Sequence, residues 1–188
     1  MLVRADSPGA FAALVEHLAG GGVAIAPGDT MYGLVGIAPD AGELIRRVKG
    51  REEEKPFLLL LGSPSWLPRL SDMPLPSRLE KYWPGPLTIV FPDKHGGTVA
   101  VRVPDSPFLS RLLAAVGRPL YSTSVNRAGM PPIATVEEMD RVFGSKVGLI
   151  YDAGDMAPGA PSTLVDVTSR PYRVLRRGSL ELAPGDLG

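Results

Sequence analysis

The segment that decides the fold is GVAIAPGDTMYGL, residues 22–34. Its first part, Val23 to Ala26, is a short apolar run that ends at Pro27, as is typical of a buried strand. The part that follows, residues 27–33, is rich in glycine and small polar side chains and is predicted to be a loop. Because loops at strand ends carry binding groups in α/β proteins, this segment predicts both a strand and part of a functional site.

Helical and strand-like patterns alternate along the rest of the chain. Helices are predicted from a Ser7-Pro8 start, from Asp40 with Glu43 at a capping-box position, over Ser106 to Val116, and from a Thr135/Glu138 capping box. Strands are predicted near residues 57–61, 87–91, 99–103, 120–124, 147–151, 164–167 and 173–175. The alternation predicts an α/β fold with a mixed sheet in a single domain over residues 1–188, with a tail from residue 183 that we expect to fray.

The composition restricts the class of protein. The chain has 188 residues, with 20 Lys and Arg against 20 Asp and Glu, so no overall field favours nucleic acid or acidic lipid. The absence of cysteine excludes thiol catalysis, Cys-ligated zinc and disulfides. The N-terminus does not resemble a signal peptide, and no apolar run reaches about 18 residues. We therefore expect a soluble, cytoplasmic protein with no membrane contact, in which any anion site is local.

Basic residues fall in three separate clusters beside turns. These clusters contain Lys49, Arg51 and Lys55, then Arg102, and then Arg176 and Arg177. Guanidinium and ammonium groups bind phosphate oxygens through charge-assisted hydrogen bonds, so converging clusters suit a polyphosphate. Between the clusters lie two loops with small hydroxyl side chains, residues 27–33 and 122–126, which suit a small polar co-substrate.

Several common enzyme signatures are missing. The sequence has no GxxxxGK[ST] phosphate loop, no GxGxxG, no HExxH and no GxSxG. Of its two histidines, His17 is predicted on the exposed side of the first helix, and His95 in a hairpin turn. Acid–base chemistry centred on histidine is therefore not expected.

A series of segments in order resembles the YrdC family, the L-threonylcarbamoyladenylate synthases of tRNA modification. The segments are residues 22–34, Lys49-Gly50-Arg51 with Lys55-Pro56, WPGPLT at 83–88, VAVRVP at 99–104, Ser124-Val125-Asn126 with Gly129, PSTLVD at 161–166, and LRRG at 175–178. The chain resembles the short form of the family, without the extra C-terminal domain. It departs from the family pattern at Gly28, where threonine is usual, at Val125 and at Leu60.

The resemblance implies a twisted mixed β-sheet flanked by helices, with a basic concave face. It also implies a reaction in which L-threonine, bicarbonate or CO2, and ATP give threonylcarbamoyl-AMP and pyrophosphate. The threonine would be held by residues Thr30, Tyr32, Arg102, Ser124 and Ser162, and ATP by Arg51, Lys55, Thr98, Asn126 and Arg176. Lys49 and Arg51 would be the catalytic cations. Mg²⁺ would arrive with ATP, without a metal site of the protein's own.

The resemblance further implies that the product passes to the machinery that transfers threonylcarbamoyl to tRNA. The sequence leaves open a direct RNA contact and a choice between monomer and homodimer. Two alternative functions also stay open: a YrdC-like paralogue that adenylates another carbamate, and a double-stranded RNA-binding module that uses the basic concave face. Zero net charge and few aromatic residues weigh against the RNA-binding module.

Overall fold

The structure, a computed structural model, describes residues 1–50, 57–127, 129–157 and 159–188. The helices are α1 (Ala10–Ala19), α2 (Gly42–Lys49), α3 (Ser77–Glu80), α4 (Pro107–Val116) and α5 (Val136–Phe143), with 3-10 turns at Pro64–Arg69 and Pro184–Asp186. The strands are β1 (Leu2–Arg4), β2 (Ala24–Pro27), β3 (Tyr32–Ile37), β4 (Leu58–Leu60), β5 (Leu87–Pro92), β6 (Thr98–Arg102), β7 (Leu120–Ser124), β8 (Leu149–Asp152), β9 (Thr163–Asp166) and β10 (Arg173–Arg176).

The strands pair into one sheet in the order β1-β8-β2-β3-β7-β4-β6-β5-β9-β10. Strand β8 pairs in parallel with β1 and β2, β4 with β6, and β5 with β9, whereas the other neighbours are antiparallel. Apolar helix faces pack on the sheet, as Leu14 and Leu18 of α1 do. This arrangement confirms the predicted α/β fold with a mixed sheet flanked by helices.

Strand β3 was not predicted from the sequence. Its six residues are all buried, and it pairs with β2 and β7, so the loop between β2 and β3 is only residues 28–31. Two glycines at 33 and 36 obscured the strand pattern. Gly36 is needed for packing, because a Cβ atom there would lie 2.4 Å from Cβ of Ala41, beside the start of α2.

Two predicted helix starts were wrong. Helix α1 begins at Ala10 behind Gly9, whose φ of 79° favours glycine, and Ser7 lies in the preceding turn. Helix α2 begins at Gly42 without a side-chain cap, because Asp40 pairs with Arg118 and Glu43 pairs with Arg47.

The capping box predicted for α5 is half formed. The Thr135 side chain accepts a hydrogen bond from the Glu138 amide, whereas the Glu138 carboxylate contacts Arg141. A box would need that carboxylate to reach back to the cap residue. The sequence therefore located the start of α5 but not all of its hydrogen bonds.

His17 does not lie on an exposed side of α1, as predicted. Its Nε2 is 3.0 Å from the Val23 carbonyl oxygen, and its ring lies where a Cβ atom of Gly22 or Gly148 would be, at 2.3 Å and 2.1 Å. The two glycines leave room for the imidazole, so His17 packs the end of α1 against the sheet. His95 lies in the β5–β6 turn, as expected.

The segment from residue 183 is docked, contrary to the expected fraying. Asp186 is buried and accepts hydrogen bonds from Lys81 at 2.9 Å and from the Tyr82 hydroxyl at 2.6 Å. The Tyr172 amide donates to the Leu187 carbonyl oxygen. These contacts hold the segment against the residues that follow α3 and those that precede β10. In the part of the chain that the structure describes, no helix is long and apolar enough to cross a membrane.

Candidate active site

The loop between β2 and β3 projects polar side chains into a cavity. The Gly28 amide donates to the Met31 carbonyl oxygen at 3.0 Å, and a Cβ atom on Gly28 would lie 2.3 Å from that oxygen. Glycine at 28 therefore permits a tight turn, which gives a structural reason for this departure from the family pattern. The Thr30 carbonyl accepts from Gly159 at 2.8 Å, which ties the loop to the segment before β9.

The cavity has a volume of about 550 Å³ and lies over one face of the sheet. Its lining includes the five residues implied for threonine binding, together with one implied for ATP binding: Thr30, Tyr32, Arg102, Ser124, Ser162 and Arg176. The volume falls in the usual range for small-molecule sites, roughly 300–1,000 Å³. The structure thus brings together residues that are up to 146 positions apart in the sequence.

Alternation along the strands explains why these side chains share a face. Leu58 and Leu60 of β4 line the cavity, whereas Leu59 between them packs in a core cluster on the other face. The same rule places Ala100 and Arg102 of β6 at the cavity and Val101 in that cluster.

Arg102 is buried and paired. Its guanidinium contacts the Asp29 carboxylate through Nη2 and donates through Nε to the Gly85 carbonyl oxygen at 2.9 Å. Burial lowers the pKa of Arg102, and the nearby Arg176 lowers it further, while Asp29 opposes both effects. The guanidinium stays charged at neutral pH because arginine does not lose its proton in proteins. Arg102 is thus a fixed positive charge at the cavity wall.

Tyr32 lines the cavity but directs its hydroxyl elsewhere. The hydroxyl donates to the Gly154 carbonyl oxygen at 2.8 Å and accepts from the Ala153 amide at 2.9 Å. Burial is the main cause of a raised pKa for Tyr32, so the phenol stays neutral. The ring therefore forms a wall, and the hydroxyl fixes residues 153 and 154.

Ser162 and Arg176 form one hydrogen-bonded unit with Thr88. The hydroxyls of Ser162 and Thr88 are 2.7 Å apart, and Nη2 of Arg176 donates to the Ser162 hydroxyl at 3.2 Å and to its carbonyl oxygen at 3.0 Å. Thr88 also lines the cavity, and sequence reasoning missed it. Its position near the start of β5, next to Leu164 of β9, was not visible without the strand pairing.

A bulge in β10 turns Arg176 toward the cavity. Val174 pairs with Val165 and Arg176 pairs with Leu164, so the two-residue step on β10 matches a one-residue step on β9. Val165 and Leu164 face opposite sides of the sheet, and Leu164 lines the cavity. Without the irregularity at Leu175, Arg176 would share the face of Val174.

Lys49 links the end of α2 to the loop after β7. Its ammonium donates to Asn126 Oδ1 at 2.7 Å and to the Ser124 carbonyl oxygen at 2.8 Å. The Ser124 hydroxyl donates to the same Oδ1 at 2.7 Å. Lys49 and Asn126 do not line the cavity, but both are bonded to Ser124, which does. Their position is at the edge of the site.

Three of the residues implied for ATP binding are not among the described residues that line the first cavity. Thr98 is exposed at the start of β6 and lines a second cavity of about 470 Å³, so the structure does not bring it to the first cavity. Arg51 and Lys55 lie outside the described residues, and their roles stay predictions.

The described cavity lining offers little for a dedicated metal site. Asp29 is the only carboxylate among the described lining residues, and it pairs with Arg102. Nowhere in the described ranges do three or more His, Cys, Asp or Glu side chains form a group that could hold a metal ion. These residues suit a Mg²⁺ ion held by nucleotide phosphates and water, as MgATP, better than an ion held by the protein.

The sequences of several relatives align with most of this chain. A threonylcarbamoyl-AMP synthase from Pyrococcus abyssi is 32% identical over 170 residues, which is 83% of this chain and 50% of the relative. One from Marinobacter nauticus is 34% identical over 172 residues, which is 81% of this chain and 89% of the relative. The chain thus spans half the length of one relative and nearly all of the other.

Solved structures of two proteins have the same architecture as this chain. P. abyssi Sua5 complexed with L-threonine matches with a TM-score of 0.84 and 28% identity, over 96% of this chain and 57% of that one. E. coli YciO matches with a TM-score of 0.83 and 26% identity, over 98% and 97%. The model of the Sua5/YciO/YrdC family, described as "Telomere recombination", matches residues 16–178. This chain, with its polar cavity over a mixed ten-stranded sheet, therefore belongs to the Sua5/YciO/YrdC family.

Proposed function

We propose that this protein is an L-threonylcarbamoyladenylate synthase. It would form threonylcarbamoyl-AMP and pyrophosphate from L-threonine, bicarbonate or CO2, and MgATP. The observation that carries the proposal is the cavity, where all the side chains implied for threonine lie beside Arg176, which is implied for ATP. The names of relatives support it, since several are called threonylcarbamoyl-AMP synthases.

The chemistry requires positioning and charge more than a protein nucleophile. Threonine carboxylation gives a carbamate, whose oxygen attacks the α-phosphorus of ATP as pyrophosphate leaves. Both reactants are anions, so the enzyme must hold them in line and stabilise the negative charge on the phosphates. Arg102 at the cavity wall, Arg176 beside Ser162 and Lys49 at the edge supply cations for this purpose.

The roles of the cations follow from their surroundings. Arg102 is buried and close to the Thr30 loop through Asp29, which suits the carboxylate of a small amino acid. Arg176 is held by Ser162 yet exposed, which suits a larger, more hydrated triphosphate. The Mg²⁺ ion supplies charge neutralisation on the phosphates when MgATP binds.

The direct test is pyrophosphate release from ATP and bicarbonate, screened across amino acids. L-threonine should give the highest turnover and serine the next, because one methyl group in a pocket is worth about 1–3 kcal/mol. Reactions without amino acid or without bicarbonate are the controls. Equal turnover with glycine or alanine would favour a paralogue acting on another carbamate. If the protein releases no pyrophosphate but binds RNA, and ATP does not compete with the RNA, the result would favour the RNA-binding module.

The proposal extends to tRNA threonylcarbamoyladenosine synthesis in the cytoplasm. The unstable mixed anhydride of the product requires an acceptor, which would be the tRNA-modifying machinery. A coupled assay would supply tRNA and a transferase partner and measure the modified nucleoside. Addition of purified product in place of this enzyme should give the same modification.

A further inference from the structure

The largely buried ion pair at the cavity wall leaves one polar atom of each side chain without a described protein partner. Arg102 uses Nε and Nη2 in its hydrogen bonds, and Asp29 uses Oδ2. Within the described ranges, neither Arg102 Nη1 nor Asp29 Oδ1 has a protein hydrogen-bond partner, and neither is a fully buried unsatisfied atom. Both residues line the cavity, so the ion pair borders its open space.

Leaving polar atoms of charged groups partly dehydrated and unpaired is unfavourable. The side chains of Arg102 and Asp29 are only 6% and 14% exposed, so water reaches them poorly. A ligand that donates to Asp29 and accepts from Arg102 at the same time would satisfy both groups. The two residues are in direct contact, so the ligand's own opposite charges must be close neighbours.

An α-amino acid has this arrangement, because its ammonium and carboxylate groups are attached to the same carbon atom. We propose that Asp29 is a specificity-determining residue that binds the α-ammonium group of the incoming amino acid while Arg102 binds its carboxylate. The inference rests on the proposed function, which supplies an amino acid as the substrate. It adds a role for Asp29 that selects α-amino acids over hydroxy acids.

The position of Asp29 in the loop supports this role. Asp29 and Thr30 are adjacent within the tight turn closed by the hydrogen bond between Gly28 and Met31. Thr30 is also held through its carbonyl oxygen by Gly159. One turn, held by two backbone hydrogen bonds, therefore presents a carboxylate and a hydroxyl to the cavity together.

The test compares L-threonine with 3-hydroxybutyrate, which has the same hydroxyl and carboxylate but lacks the amino group. Calorimetric titration of the parent should show at least roughly tenfold tighter binding of L-threonine, because a charge-assisted bond is lost with the amine. Asp29→Asn keeps the shape and an oxygen acceptor for Arg102 but removes the negative charge. It should weaken L-threonine about tenfold or more and leave 3-hydroxybutyrate within about threefold of the parent.

The outcomes separate this inference from the proposed function. Equal weakening of both ligands in Asp29→Asn would show that Asp29 only orients Arg102, and unchanged threonine binding would show that it does not meet the amine. Either result overturns the inference and leaves the proposed function intact. A parent that binds no L-threonine contradicts the proposed function, and the inference with it. If the variant does not fold, equal binding of the two ligands by the parent is itself decisive against the inference.

A matched control is Asp40→Asn. Asp40 also pairs with an arginine, Arg118, at 2.9 Å, but its side chain is 57% exposed and lies outside the cavity. The same chemical change there should leave both affinities at the parent values. Melting curves of all variants separate loss of binding from loss of folding.

Discussion

The ammonium of Lys49 lies 2.7 Å from Oδ1 of Asn126, although the two residues are 77 positions apart in the chain. The contact joins the end of α2 to the loop after β7, and the Ser124 hydroxyl donates to the same oxygen. A cation at this edge is fixed next to a cavity residue without entering the cavity itself. We therefore expect it to act on the nucleotide more than on the amino acid.

Replacement of Lys49 should separate turnover from threonine binding. We expect Lys49→Ala to reduce pyrophosphate release by roughly 10- to 100-fold, because a charge-assisted contact of about 1.5–3 kcal/mol is lost. Calorimetry should show L-threonine affinity close to that of the parent. Arg47→Ala is the control, since Arg47 is exposed and pairs with Glu43 on its own helix. Parent-like turnover in Lys49→Ala would remove Lys49 from the catalytic group.

Arg102 and Arg176 should give two different binding defects. Arg176→Ala should weaken ATP binding by roughly 10-fold or more. Its effect on threonine binding should be smaller and should come from the lost hydrogen bonds to Ser162. Arg102→Lys should weaken the binding of threonine and leave the binding of ATP unchanged, because lysine keeps the charge but lacks the planar guanidinium group. Titration of both ligands against both variants is the measurement. Arg177→Ala, next to Arg176 and exposed, is the control. The assignment is wrong if both variants show the same defect.

Arg102→Ala should lower the free energy of unfolding. Removing the guanidinium leaves Asp29 without its ion-pair partner in a part-buried position. Breaking a buried pair on one side commonly costs about 3–5 kcal/mol. Denaturant unfolding should show a lower free energy of unfolding than in Arg102→Lys. An unfolding curve equal to that of the parent would mean that Asp29 finds water or another partner.

The Tyr32 hydroxyl should contribute to stability and little to binding. Tyr32→Phe removes the partner of the Ala153 amide and the Gly154 carbonyl oxygen, so we expect a loss of about 1–3 kcal/mol in the free energy of unfolding. The ring still forms the cavity wall, so L-threonine affinity should stay near the parent value. Tyr121→Phe provides the matched removal of a hydroxyl. A large loss of threonine affinity with unchanged stability would assign the hydroxyl to the substrate.

Asp186 should make stability depend on acid pH. Hydrogen bonds from Tyr82 and Lys81 hold the pKa of Asp186 below its usual range. Its stabilising contribution is therefore present above the unfolded pKa of about 3.9 and is lost as the pH falls through the lower folded pKa. The melting temperature of the parent should exceed that of Asp186→Asn at neutral pH, and the gap should close in strong acid. Asp72→Asn, at an exposed ion pair, should show no such gap.

Chelation should stop the reaction and leave the fold intact. Mg²⁺ is expected to be held by the phosphates of ATP and water, so excess chelator should abolish pyrophosphate release and added Mg²⁺ should restore it. The melting temperature of the free protein should not change with chelator. A drop in melting temperature would instead indicate a metal ion that stabilises the fold.

The sequence predicted most elements because their signals are local. The helix predicted over Ser106 to Val116 is α4, and the Ser106 side chain accepts a hydrogen bond from the Leu109 amide at its start. The residues that we assign to threonine binding were identified by resemblance, because their motifs keep their order in the chain. Glycine in β3 weakened the only local signal of that strand.

The features of the site that the sequence did not predict depend on contacts between residues far apart in the chain. Asp29 was in the opening segment, and an arginine in an apolar strand requires a partner, but 73 residues separate the two. Nothing in the letters around Leu175 indicates the bulge that directs Arg176. Thr98 was assigned to the site by its resemblance to the family, whereas in the structure it lies at the start of β6, paired with Pro92 and four residues before Arg102.

The strand order has a consequence for synthesis on the ribosome. Strands from early and late parts of the chain are interleaved, so β8 lies between β1 and β2, and β7 lies between β3 and β4. The central strands cannot acquire all their neighbours until most of the chain has emerged. Ser162 and Arg176 come last, so a nascent chain has no complete substrate cavity before that point. We therefore expect the cavity and the folded sheet to be completed at nearly the same moment of translation.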